Sequence, residues 1–408
     1  MKIKLITLGC KLNKYESDCM ANILLKAGHT ITQENVADIY IINTCAVTQE
    51  SEKKSRQYIA KCNKYNPNCK IIICGCASQN NPDQFKGKTN VYSIIGNEGK
   101  EKILNIINNC IVEVKDLDVN YGKLNNPHIT STRAYLKVQD GCNNFCSYCL
   151  IPYLRGRSRS RSIEDCVAEA VELSKISKEI VVTGIDVSSY KPSLALLMQK
   201  LGEVDARIRL GSLEVNVVDD ELLLVLSKMP NFCPQFHLSL QSGSNTVLKR
   251  MNRHYTTDEY FNKVELIRKY FDNTNITTDI IVGFACETEE EFNETCDFVK
   301  KVGFGQVHIF PYSKRSGTMA DKMFGDIPMN IKKDRVDILE KIANESRVAY
   351  LKSLIGQSFN VLTEDEEDGY VVGYTENYIK VYLPKSTIKN VVLSVKLIET
   401  FKDGMKGE

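Results

Sequence analysis

Apolar positions in the first 125 residues fall into short β-prone runs, each followed by a stretch of helical spacing. Lys2–Leu8 reads as a strand that ends at Gly9-Cys10, and Glu16–Ala27 reads as a helix closed by Gly28. Ile39–Ile42 ends at Asn43-Thr-Cys45, the charged stretch Ser51–Asn63 has helical spacing, and Lys70–Ile73 ends at Cys74-Gly-Cys76. This βαβαβ order predicts a parallel sheet covered by helices, in which functional groups gather at the carboxyl ends of the strands.

Between Asn108 and Thr132 the periodicity fades, and residues 121–127 are turn-rich, as expected of a linker. Strand signals then recur at Tyr135–Val138, Glu179–Thr183, Arg207–Leu210, Gln235–Leu240, Asn275–Val282 and Gly305–Phe310. Helical stretches Ile163–Lys175, Leu194–Gly202, Asp219–Lys228, Thr257–Tyr270 and Glu289–Lys301 lie between them. Six strands with intervening helices predict a full or partial barrel with functional groups on the loops that follow the strands. After a helix at Lys332–Leu354, alternation at Ser358–Leu362, Tyr370–Tyr374, Tyr378–Tyr382 and Val391–Lys396 predicts a small antiparallel β-barrel. The chain is therefore expected to be a multidomain α/β protein divided at 1–125, 130–349 and 350–408.

Composition narrows the function. The 408 residues carry 53 Lys+Arg against 51 Asp+Glu, so any nucleic-acid contact must come from a local patch. No apolar run approaches the ~18 residues of a membrane span, and the segment before Gly9 is too short for a signal peptide. A soluble, cytoplasmic protein with no membrane partner is expected. Fifteen cysteines in irregular spacing argue against a disulfide framework and for metal or redox chemistry. Cys19, Cys62, Cys69, Cys110, Cys166, Cys233 and Cys296 have no companion ligand spacing and read as packing residues.

Cys142, Cys146 and Cys149 form a C-x3-C-x2-C run after a strand and the turn Asp140-Gly141. Thiolates hold the four irons of a [4Fe–4S] cluster, so three cysteines leave one iron open to a substrate or cofactor. Cys10, Cys45 and Cys76, at the ends of three neighbouring strands, form a second expected triad. Cys74 competes with Cys76, because alternation along a strand points the two the same way. Structural zinc is the nonenzymatic alternative, in a metal-binding RNA protein, but neither triad offers the fourth ligand that tetrahedral zinc takes.

Residues after successive strands complete the expected site. Thr183-Gly-Ile-Asp186, Glu214, Gln241-Ser-Gly-Ser244 and Gly283-Phe284 surround the cluster loop, with Asp186 and Glu214 suited to accept hydrogen bonds from ribose hydroxyls or an amine. Arg155, Arg157, Arg159 and Arg161 follow the loop; a charge run is ordinarily a solvated face, and beside an active site alternating arginines suit phosphate positioning in RNA. From Lys352 onward nine acids outnumber seven lysines, so the last segment is no basic clamp. Its tyrosines read either as half-buried strand residues or as stacking partners for bases.

Thr7-Leu-Gly-Cys-Lys-Leu-Asn13 with Tyr15-Glu16, Asn43-Thr-Cys45, Gly75-Cys-Ala77, the loop 142–149 and Leu238-Ser-Leu-Gln-Ser-Gly-Ser244 together resemble the radical S-adenosylmethionine (SAM) methylthiotransferases. The resemblance spans nearly the whole chain. It implies a central partial (β/α)6 radical-SAM barrel, a C-terminal TRAM domain, two [4Fe–4S] clusters and SAM. It further implies that Cys142, Cys146 and Cys149 hold the cluster that binds SAM, that Cys10, Cys45 and Cys76 hold an auxiliary one, and that Tyr148, Thr183, Gly184, Asp186, Glu214, Gln241 and Ser242 contact SAM. The Gly9–Asn13 opening is most similar to the subfamily that converts N6-threonylcarbamoyladenosine beside the tRNA anticodon to its 2-methylthio derivative. Isopentenyladenosine in tRNA and a ribosomal protein are the alternative substrates. Partners implied are tRNA, an external electron donor and a sulfur donor. Ala285-Cys286, Val215-Asn216 and Lys191 depart from the family's usual Pro-Gly, proline and glycine.

Overall fold

The computed structural model describes residues 1–117, 121, 124–129 and 131–408. The expected linker includes residues 118–120, 122–123 and 130, which lie outside the described residues. The N-terminal residues build a parallel six-stranded sheet in the order Thr30–Ile31, Lys2–Thr7, Ile39–Thr44, Lys70–Gly75, Val91–Ile95, Val112–Glu113. Three expected strands sit at its centre. Val91–Ile95 and the helix Ile103–Asn108 beside it went unread in the sequence.

Register brings the strand ends level: Thr7 pairs with Asn43, and Asn43 with Cys74. Gly9 and Gly75 then turn the chain out of the sheet at φ 96° and 100°, angles that disfavour any residue with a Cβ. A Cβ on Gly9 would stand 2.7 Å from the Cys45 sulfur, and one on Gly75 would stand 2.6 Å from the Thr44 carbonyl.

The first helix runs Lys11–Lys26, starting directly after Cys10 and not at Glu16. Its early turns were hard to read because the face they bury is polar: Asn13, Tyr15, Glu16, Ser17 and Asp18 are all inside. That face packs against the first strand of the central region, Arg133–Lys137. Glu16 is bonded there by Lys100, by Lys137 at 3.1 Å and by Arg155 at 2.7 Å.

The barrel strands of the central region pair parallel in two sheets, beside a short antiparallel pair, Gln139–Asp140 with Arg159–Ser160. Arg207–Leu210, Glu179–Thr183 and Arg133–Lys137 form one; Ser212–Leu213, Gln235–Leu238, Asn275–Val282 and Gln306–Pro311 form the other. Gly211 carries the chain between them, donating its N–H to Val182 at 2.8 Å. With Arg207–Leu210 and Ser212–Leu213 counted as one strand broken at Gly211, the result is an open six-stranded barrel wrapped by helices, its largest apolar core lying between strands and helices. Among the described residues no helix is long and apolar enough to cross a membrane.

A 25-residue helix, Met329–Ser353, leads to a closed five-stranded barrel. Its pairs are antiparallel except Lys380–Leu383 with Gly404–Gly407, which run parallel. Arg207 and Arg209 of the central barrel donate to its Thr375 and Glu376 carbonyls at 3.0 Å each. Behind them lies Glu179, held by Arg133, Arg207 and Arg209 at 2.9 Å.

Burial alone would raise the Glu179 pKa, but Arg209, Arg207 and Arg133 outweigh it and bring the group from 4.5 to about 2. A depressed carboxylate stabilises the folded state above its unfolded pKa, and that contribution is lost as pH falls toward the folded value. Urea unfolding of a Glu179→Gln variant should therefore show less acid sensitivity between about pH 4.5 and 2 than the parent, whose Glu179 contributes about 3 kcal/mol over that interval.

Candidate active site

Cys142, Cys146 and Cys149 lie on the loop after Arg133–Lys137, as expected, and their thiols act electrostatically on one another. The loop offers donors to its own sulfurs. The Asn144 N–H reaches the Cys142 sulfur and the Ile151 N–H the Cys149 sulfur, both at 3.4 Å. The Arg253 guanidinium reaches the Cys146 sulfur at 3.2 Å. Donors aimed at sulfur favour the thiolate that a metal requires. Burial pushes the Cys142 and Cys149 thiols up to about 12, so in the absence of a cation they stay protonated.

The second triad shows the same preparation. Cys45 feels both Cys76 and Cys10, accepts the Val47 N–H at 3.4 Å, and is raised mainly by burial. The Cys76 sulfur accepts from Asn97 Nδ2 at 3.6 Å. Cys74 behaves differently. It points into the apolar layer with Ile41 and Ile72, its thiol donates to the Ile42 carbonyl at 3.7 Å, and burial lifts its pKa to about 12. Strand alternation failed to separate the two cysteines because Gly75 ends the strand between them. Five of the six sulfurs thus accept an N–H hydrogen bond, and within each set the thiols act on one another, a donor chemistry that fits iron–sulfur ligation.

The two triads approach each other through the turn after Cys149. The helix Ile151–Leu154 packs Leu154 into the core that contains Cys76 and Ala77, and Asn97 Nδ2 also donates to the Leu154 carbonyl at 2.8 Å. Arg315 adds a second link, reaching the Ala46 carbonyl at 2.8 Å and Glu52 at 2.6 Å.

Around the cluster loop, Asn144 Nδ2 donates to Asp186 at 3.3 Å and to Glu214 at 2.9 Å, and Arg253 pairs with Glu214 at 2.9 Å. Burial and the neighbouring Glu214 hold the Asp186 carboxyl above its ordinary pKa. Asn144 and Arg253 were missed in the sequence; Arg253 sits just past a helix, Asn245–Arg250, that was also unread. Tyr148 lies edge-on to Phe284 with ring centroids 6.3 Å apart. Gly184 lies against the Gln139 side chain, Thr183 is buried, and Gln241 adopts φ 71° beside Ile280. Ser242 is a correction: it is fully buried against Thr295, whose hydroxyl lies 3.3 Å away, and faces the helix Glu289–Val302 instead of the cluster loop.

The arginine run is the larger correction. Arg155 is 1% exposed and divides its guanidinium between Glu16 and Asn13, the latter at 2.8 Å. Arg161 is buried on Glu169 at 2.6 Å, and Arg159 is buried with Asp140 and Glu98, each 3.7 Å away. Arg157 alone of the four faces solvent, over the Phe145 ring at 4.3 Å. Arg155 and Arg159 reach acids of the N-terminal domain and Arg161 an acid of its own, so three of the four are buried in ion pairs and do not form an open phosphate track.

Residues 136–299 match the Radical SAM superfamily, and residues 2–96 match Uncharacterized protein family UPF0004. The threonylcarbamoyladenosine tRNA methylthiotransferase MtaB of Thermotoga maritima is 40% identical over 93% of this chain and 90% of its own. Its namesake in Bacillus subtilis is 37% identical over 92% and 88%. This chain belongs to the radical SAM methylthiotransferase family. The family carries a [4Fe–4S] cluster and SAM. Among solved structures, the radical S-adenosylmethionine methyltransferase TsrM of Kitasatospora setae superposes with TM-score 0.58 at 12% identity, covering 78% of this chain and 76% of that one. The radical enzyme OxsB superposes with TM-score 0.55 at 14% identity; this chain spans 56% of its length.

Removing one partner of a buried ion pair typically costs 3–5 kcal/mol. Arg155→Met should lower the unfolding free energy in urea by about that amount, whereas Arg157→Met should cost less than about 1 kcal/mol.

Proposed function

We propose that this enzyme converts N6-threonylcarbamoyladenosine in tRNA to its 2-methylthio derivative. The observation that carries the reading is the pair of sulfur triads brought together at facing strand ends, one in each half of the enzyme. The relatives named for this substrate extend over nine-tenths of the chain. The boundaries 1–125, 130–349 and 350–408 give each half, and the C-terminal barrel, a sheet of its own.

In this reading Cys142, Cys146 and Cys149 hold the cluster that engages SAM, and Cys10, Cys45 and Cys76 hold a second cluster. These groups, when bound, supply a 5′-deoxyadenosyl radical for hydrogen removal at C2 of the base, sulfur for the new C–S bond and a methyl group. The protein binds and orients. Asn144 fixes the Asp186 and Glu214 carboxylates as acceptors for SAM, while Arg253 braces Glu214 and the Cys146 sulfur together. Tyr148 and Phe284 close an apolar wall. An external electron donor and a sulfur donor complete the reaction.

Anaerobic reconstitution should give about eight irons per chain, as two [4Fe–4S] clusters require. Cys76→Ser should lose about four of them and Cys74→Ser none; equal iron in both variants would remove the second cluster from Cys76. In a deletion strain, mass spectrometry of digested tRNA should show loss of 2-methylthio-N6-threonylcarbamoyladenosine alone. An unchanged nucleoside profile would count against the tRNA substrate.

A further inference from the structure

A cavity of about 1120 Å³ in the lumen of the open barrel is lined by Lys11 on one element and by Tyr374 and Tyr378 of the C-terminal barrel on another. Its volume exceeds the ~300–1,000 Å³ usual for small-ligand sites, enough for a modified nucleoside. The charges on its wall are unevenly matched. Seven lysines and arginines line it against four carboxylates, of which Glu364 meets Arg133, Asp403 meets Lys380 at 3.3 Å, and Asp279 meets the His237 ring at 3.2 Å. Three lining cations, Lys11, Lys178 and Arg347, have no carboxylate within ion-pair distance among the described residues. Arg347 gives its guanidinium only to the backbone carbonyls of Gly305 and Asp403, at 3.4 and 2.5 Å.

A lumen whose lysines and arginines outnumber its carboxylates is suited to an anion. His237, Asp279 and His308 also converge there, with ligand atoms within 4.8 Å of one another. A divalent cation among them would face Lys11 and Arg347 across the same cavity, and His237 Nδ1 is already engaged by the Thr277 hydroxyl at 3.0 Å. The unanswered charge therefore favours an anionic ligand over a metal.

We propose that Lys11 binds the carboxylate of the substrate's threonyl group, with the modified base held inside the barrel lumen. The inference rests on the tRNA reading above. A threonylcarbamoyl substituent carries an α-carboxylate that is ionised at neutral pH, the single formal charge separating it from an apolar N6 substituent. Lys11 is covalently next to Cys10, so an arm anchored there holds the nucleoside beside the triad proposed for sulfur transfer. Arg347 is the second cation available to the same group, from the other side of the cavity.

The test uses reconstituted holoenzyme and two anticodon stem-loops, one bearing N6-threonylcarbamoyladenosine and one bearing its threoninamide analogue, in which the carboxylate is a neutral amide of the same size. A charge-assisted hydrogen bond corresponds to about a 10- to 100-fold difference in Kd. Wild type should bind the acid that much more tightly than the amide, Lys11→Met should treat the two within about threefold, and Lys11→Arg should restore the preference, all with unchanged iron content. If Lys11→Met loses iron, Lys11→Gln takes its place. Retention of the wild-type preference by the neutral variant overturns the inference, as does a wild type that methylthiolates the acid stem-loop yet binds acid and amide alike. A wild type inactive on the acid stem-loop overturns the substrate reading itself, and this inference with it.

Discussion

The Glu16 carboxylate is the point on which the two halves of the enzyme depend. It is almost completely buried, a position that would ordinarily force it neutral. Arg155, Lys100 and Lys137 outweigh that desolvation and hold its pKa well below the carboxylate range. One partner comes from its own sheet domain and two from the barrel. The same Arg155 guanidinium bonds the Asn13 side-chain oxygen, and the Asn13 amide reaches the Leu8 and Thr44 carbonyls at 2.6 and 3.0 Å. A single chain of polar contacts thus runs from the turn after Cys149 to the strand ends that carry Cys10 and Cys45. Buried ion networks add little net stability over apolar packing, but they penalise every misaligned arrangement by leaving a charge unpaired. Here that penalty acts on the relation between two sulfur triads.

Much of the fold was legible because it rests on local pattern. Glu179–Thr183, Arg207–Leu210, Asn275–Val282 and Thr257–Tyr270 appear with the bounds that their periodicity predicts. What escaped has a common cause. The first helix starts five residues earlier than its apolar pattern does, since the turns carrying Asn13, Tyr15 and Glu16 are buried against another domain's charges. A buried polar face and an exposed one look identical in sequence.

The site divides along the same line. Six cysteines could be assigned to strand ends and to a loop from sequence because strand ends and ligand spacing are local properties. The arginines could not, since Arg155 finds Glu16 139 residues away and Arg209 finds Glu179 across a neighbouring strand. The alternating Arg-x-Arg spacing resembled a phosphate track because spacing carries no information on distant partners. The family resemblance favoured Cys76 over Cys74, whereas strand alternation could not separate them because Gly75, at φ 100°, ends the strand between the two. Cys286 makes the converse point: it adopts φ 60° where the family usually has glycine, so this chain keeps the turn while departing from its usual residue.

The C-terminal barrel acquires a physical role from the same contacts. Its acidic balance does not suit an RNA clamp, and Tyr374 and Tyr378 already stack on each other at 4.8 Å beneath Arg133. Arg209 covers Tyr378 from the lumen side at 4.6 Å. Each ring therefore already has a stacking partner. They seal one end of the barrel, and the arginines that hold them are neutralised by Glu179 and Glu364. The floor of the lumen is thereby made of cations already spent on carboxylates. Lys11, next to Cys10 in the chain, and Arg347 line the same cavity without a carboxylate partner, and their charge can select what binds there.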